Sequence, residues 1–156
     1  MTKLLAWARN RLASSVLHRN LGRTFWKVLR DADRAIPEYQ QAIQCAPSDY
    51  KPYLELERIL SACGLAEQRK KLIESIPAAL LGNDLIAERI AAFHADEYDF
   101  DGALELLAKT YFYPWEVYKG VRILYVDACI GKGIQHQKRG EAKAAVECYR
   151  EAMQYP

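Results

Sequence analysis

One spacing occurs twice in this chain and limits it more than any other feature. Ala35, Tyr39, Ala42 and Pro47 stand at intervals of 4, 3 and 5 residues, and Ala145, Tyr149, Ala152 and Pro156 at intervals of 4, 3 and 4. Steps of three and four place a small, an aromatic and a small side chain on one face of a helix. The alanines admit a neighbouring helix at close range, and the ring fills the gap between them. The proline, lacking an N–H, ends the helix. A helix of this kind has to be covered by another helix, so the chain is expected to be a series of packed helical pairs.

The rest of the sequence agrees. β-branched residues are few and alternating apolar–polar runs are absent, which disfavours strands. Breakers cluster around residues 31–33, 46–52, 63–65, 76–84, 96–100, 111–119 and 138–140. Between them lie helical segments expected at Thr2–Ser14, Val16–Arg30, Asp33–Cys45, Tyr50–Cys63, Leu65–Ile76, Asp84–Ala95, Asp99–Thr110, Tyr118–Gln137 and Glu141–Tyr155. Asn83 is suited to cap one helix, and Asp99 or Asp101 another. Pro37 is tolerable in the first turn of its helix. Gly64 and Gly140 fall at hairpin turns. At 156 residues the chain is expected to be a single domain, with an N-terminal helix over residues 1–15 and hairpins over 16–47, 48–81, 82–113 and 114–156.

The twin spacing resembles the second-helix half of the tetratricopeptide repeat (TPR). Each copy is preceded by a glycine-bearing helix, with Gly22 in the first hairpin and Gly133 in the fourth. Tyr53, Leu56, Leu60 and Gly64 match the first helix of a repeat whose second helix, carrying Ile73 and Ile76, is degenerate. Ala103 takes the first small position of the third. The resemblance covers the chain from about Val16 onward and implies an all-α, right-handed superhelical stack of antiparallel hairpins. A narrower resemblance rests on His18-Arg19-Asn20-Leu21-Gly22, Pro114-Trp115-Glu116 and Ala152-Met153-Gln154-Tyr155-Pro156. It is to the TPR-like C-terminal region of large bacterial proteins that also carry an uncharacterised, carbohydrate-related β-rich domain. In that group glycines follow the Trp-Glu, whereas Val117 and Tyr118 stand here.

The TPR resemblance implies a protein-interaction or assembly module with no catalysis of its own. The alternative is an accessory helical region of a larger bacterial carbohydrate-processing enzyme. In TPR proteins the first helices of the hairpins line a groove. The corresponding positions here are Arg19, Arg23, Trp26 and Lys27, then Lys51, Leu54 and Arg58, then Glu88, Ala92 and Asp96, then Asp127, Ile130, Ile134 and Lys138. Arg19, Arg23, Lys27 and Arg58, with Trp26, are the candidate peptide-binding set, suited to an acidic peptide. The competing reading is a solvated helix face.

The first thirty residues hold seven Lys or Arg and no acid. A basic amphipathic helix suits an anionic surface, but Leu4, Leu5, Ala8, Leu12 and Val16 recur at helical spacing and are expected to pack on the first hairpin. A membrane surface is therefore not the expected partner. The net charge of +2 gives no reason to expect nucleic acid. Tyr111, Phe112, Tyr113, Pro114 and Trp115 form an aromatic stretch, expected to fill the join between the third and fourth hairpins. Asp96, Asp99, Asp101 and Glu116 are close in sequence, but acids at a helix start cap N–H groups more readily than they catalyse. Cys45, Cys63, Cys129 and Cys148 show no CxxC spacing, and His18, His94 and His136 are scattered. No metal or cofactor is expected, and the cysteines read as thiols of a cytoplasmic protein. Because the sequence stops at Pro156, part of the last helix is expected to be exposed in the isolated monomer, and to be covered either by another copy of the chain or by residues beyond this sequence.

Overall fold

The structure, a computed structural model, describes residues 2–111 and 118–154, and the side chains of residues 10–111 and 120–154. Among the described residues it is all-α. The helices are α1 (Thr2–Lys27), α2 (Ala32–Cys45), α3 (Tyr50–Ala62), α4 (Ala66–Glu74), α5 (Asp84–Asp96), α6 (Phe100–Lys109), α7 (Tyr118–Lys138) and α8 (Ala142–Gln154), with one 3₁₀ turn at Ala78–Leu80. The chain divides into two compact units, Met1–Leu81 and Gly82–Pro156. The division falls at an expected hairpin boundary.

Local chemistry sets most helix ends. Asp31 accepts from the Arg34 N–H at 3.0 Å, Asn83 from Ile86 at 3.2 Å and Asp99 from Gly102 at 3.0 Å. These are N-caps, which satisfy donors that the first turn leaves without partners. Asp49 accepts from the Lys51 N–H at 3.0 Å and starts α3. Two features differ from the sequence reading. There is no break near residue 15: the expected N-terminal helix and the first hairpin helix are one 26-residue helix. Ser14 and Ser15 sit inside it, because the Ser15 hydroxyl donates across to the Ala42 carbonyl at 3.0 Å instead of capping. Pro37 lies beyond the first turn of α2, where its ring removes a bond that an N–H would make to the Asp33 carbonyl.

Each hairpin turn holds one residue in the left-handed region just before the second helix: Arg30, Gly64, Tyr98 and Gly140, at φ of 56°, 67°, 62° and 77°. The first three recur every 34 residues, and the fourth comes 42 after the third. Thirty-four is the length of a TPR unit. The added eight residues match the length of α7, which has 21 residues where α3 and α5 have 13 each. In three turns the residue after the left-handed one returns its N–H to a carbonyl five residues back: Leu65 to Leu60, Asp99 to His94, Glu141 to His136. In the first turn the step is six, Asp31 to Phe25. Hairpin one therefore carries an extra residue in its turn, and equivalent positions in α1 shift by one.

With that shift, one position on each first helix reads Gly22, Glu57, Ala91 and Gly133. Its counterpart on each second helix reads Ala35, Arg69, Ala103 and Ala145. All eight are buried. In three hairpins both positions are small, so the helix backbones can approach closely. Tyr39 and Tyr149 lie over the glycines: a Cβ on Gly22 would come within 2.8 Å of the Tyr39 ring, and one on Gly133 within 2.4 Å of the Tyr149 ring. In hairpin two the small pair is replaced by an ion pair, Arg69 Nε to Glu57 Oε1 at 2.7 Å, with both side chains buried. The core of the first unit is completed by Tyr53, Leu54, Leu56, Ile59, Leu60 and Leu72. That of the second rests on Ile86, Ile90, Leu107, Val121, Ala128 and Cys129.

Candidate peptide-binding face

The candidate groove residues of the first unit lie on α1 and α3. Their positions correspond: Arg23 follows Gly22 as Arg58 follows Glu57. An ion pair joins the two helices directly, Arg19 Nη2 to Glu55 Oε1 at 2.6 Å. Arg23 lies one turn past Arg19 on α1, and Arg58 three residues past Glu55 on α3.

The structure changes the candidate set. Arg19 was expected to face the groove. It is instead held by Glu55, its Nε is a buried atom without a hydrogen-bond partner among the described residues, and the Glu55 carboxylate raises its pKa further. It fastens α1 to α3 and is not available to a ligand. Leu54, also expected on the exposed face, is buried, because this side of α3 packs inward. Trp26 is half-buried. Arg23 is half-buried, and Lys27 and Arg58 are exposed. Among the described residues none of these three forms an ion pair. Beneath them Tyr39 is enclosed. Burial first, then the charge and hydrogen bonding of Glu55, push its hydroxyl well above the usual tyrosine range, and Arg23 and Arg19 act in the opposite sense. The face is a basic surface over a closed polar network.

In the second unit the corresponding faces differ. Asp96 on α5 and Asp127, Ile130, Ile134 and Lys138 on α7 are exposed, while Glu88 and Ala92 are half-buried. These positions mix acidic, apolar and basic side chains. The two acids near the start of α6 have other duties. Asp99 caps α6 and also meets His94 Nδ1 at 2.7 Å. The Gly102 N–H, then His94, hold its carboxyl below the usual carboxylate range. That is the reverse of the raised pKa a general acid needs near neutrality. Asp101 pairs with Lys132 at 2.6 Å. Glu116, and residues 112–115 of the aromatic stretch, lie outside the described residues. Among the described residues no cluster of His, Cys, Asp or Glu is arranged to hold a metal ion.

Of the repeat-signature residues, Ala35, Tyr39, Ala42, Ala103, Gly133 and Ala145 are buried. Ala152, expected to be buried as well, is half-buried, as is Tyr149, while Pro47 is exposed. The outer side of α8 exposes Val146 and Met153. The sequence reading missed the Glu57–Arg69 pair. The signal was the twelve-residue offset that also separates Ala91 from Ala103 and Gly133 from Ala145.

No protein-family model matches the sequence, and no curated protein matches it. Among solved structures the chain is similar to one described as the crystal structure of MamA protein, a TPR-containing protein. The alignment covers 90% of this chain and 72% of that one, with a TM-score of 0.61 and 16% identity. At that identity the likeness is one of fold, and the fold is a TPR-like helical repeat.

Proposed function

We propose that the chain is a protein-interaction module whose first unit takes an acidic peptide or chain terminus across α1 and α3, with no catalysis of its own. The observation that supports this is the correspondence of Arg23 and Arg58, one turn and three residues past the joined Arg19 and Glu55, with Lys27 one turn on from Arg23, none of the three with a carboxylate partner among the described residues. Charges left unspent on a rigid helical face are suited to charge-assisted hydrogen bonds from an incoming carboxylate. The four cysteines are free thiols, which supports a reducing, cytoplasmic setting.

Selection from a displayed peptide library tests the reading. The intact chain is expected to enrich Asp- and Glu-rich peptides. Arg23→Glu with Arg58→Glu is expected to abolish that enrichment, since a hydrogen bond to a charged group contributes about 1.5–3 kcal/mol. Helical content is expected to stay unchanged, because both side chains lie outside the core. Equal enrichment by the double variant refutes the proposal.

A further inference from the structure

The outer side of α1 carries an observation that the peptide-binding reading leaves unused. The inward side of the helix is fixed by Ser15 on Ala42, His18 on Glu38 and Arg19 on Glu55. The opposite side exposes Leu12 (57%), Val16 (53%), Leu17 (58%) and Leu21 (38%), and Val28 in the turn that follows is 72% exposed. Leu12 and Val16 were expected to pack on the first hairpin; here they face away from it. At 100° per residue these five side chains cover roughly half the helix circumference over a length of about 24 Å. The residues between them, Ala13, Asn20 and Thr24, carry no charge. Lys27 lies within this arc, Arg23 at its border and Arg30 just past its end. No acid occurs in the first thirty residues.

We propose that this face of α1 docks the protein on an anionic lipid bilayer. Three features favour that occupant. A partner helix buries a narrow seam, whereas this apolar arc is broad enough for every one of its side chains to enter a flat interface together. A second copy of the same face would set basic residues against basic residues with no acid to offset them. Anionic headgroups are the complement of a face that carries apolar side chains with Lys27 among them, is bordered by Arg23, and is free of acids. Attachment is to one surface, since among the described residues no helix is long and apolar enough to cross a membrane.

Cosedimentation of the intact chain with phosphatidylcholine vesicles, with and without about 30% phosphatidylserine, tests this. The chain is expected to pellet with the anionic vesicles, to remain in solution with the neutral ones, and to bind less as salt rises toward about 0.5 M. Leu12→Ser with Leu17→Ser is expected to weaken binding by roughly tenfold or more. The same variant should keep its circular dichroism spectrum and its acidic-peptide binding, so this inference and the peptide reading fail separately. Absence of binding to anionic vesicles overturns the inference, and so does undiminished binding by the variant. Self-association that the two substitutions abolish, without vesicle binding, overturns it in favour of a second copy.

Discussion

Converting hairpin two to the small-residue pattern of its neighbours, one position at a time, is expected to damage it. Arg69 stands where Ala35, Ala103 and Ala145 stand in the other hairpins, so Arg69→Ala looks like a repair. It leaves Glu57, whose side chain is 3% exposed, without the guanidinium 2.7 Å away. Removing one partner of a buried ion pair costs about 3–5 kcal/mol, because the remaining charge keeps its desolvation penalty. Folded domains have only about 5–15 kcal/mol to lose. For a chain of this size the expected fall in melting temperature is about 6–20 °C. The double substitution Glu57→Leu with Arg69→Met keeps the volume and removes both charges. It is expected to lie within about 1.5 kcal/mol of wild type, or above it. Thermal and urea unfolding of Arg69→Ala, and of wild type, Glu57→Leu, Arg69→Met and their double, followed by far-ultraviolet circular dichroism, gives the single cost and, from the last four, the coupling energy. Single costs that simply add in the double refute the reasoning, as does an Arg69→Ala protein that loses less than about 1 kcal/mol.

Three further substitutions have expected outcomes. Gly22→Ala brings a methyl group 2.8 Å from the fully enclosed Tyr39 ring and is expected to cost about 1–3 kcal/mol by overpacking. Gly133→Ala meets the half-exposed Tyr149 ring, which can swing outward, so the gain in helix propensity of about 1 kcal/mol is expected to offset much of the clash; paired melting curves check the order. The Asp99 pKa is lowered on folding, so its contribution is present above the unfolded value near about 3.9 and lost as pH falls through the folded value. Asp99→Ala is expected to cost about 0.5–2 kcal/mol at neutral pH and to lose less stability than wild type on acidification, as urea titrations from neutral to acid pH would register.

The helix ends were legible in the sequence because their causes are local. Asn83 and Asp99 cap the helices that follow them, and Gly64 and Gly140 supply left-handed turns, all within a few residues of the boundary they set. The break expected between Ser14 and Val16 is absent, and the partner of Ser15 is a carbonyl 27 positions away. Arg19 read as a groove cation because Glu55 lies 36 residues further on. Helical spacing revealed that Leu12 and Val16 share a stripe. It carries no information on what covers a stripe, and the structure leaves this one uncovered. Glu57 and Arg69 were passed over because charge is ordinarily a mark of surface; only the repeat offset places both inside.

The succession of neighbouring helices also bears on how the chain can be made. In the first unit the principal contacts join α1 to α2, α2 to α3 and α3 to α4. Each helix there packs chiefly on the one made just before it. Translation proceeds at about 5–20 residues per second, so a 34-residue hairpin takes about 2–7 s to emerge. Helical domains with local contacts fold in microseconds to milliseconds. Tyr39 thus meets Gly22, and Glu57 meets Arg69, as soon as α2 and α4 in turn clear the ribosome. A carboxylate and a guanidinium that would be costly to enclose singly are enclosed within one short stretch of nascent chain, while the second unit is still being synthesised.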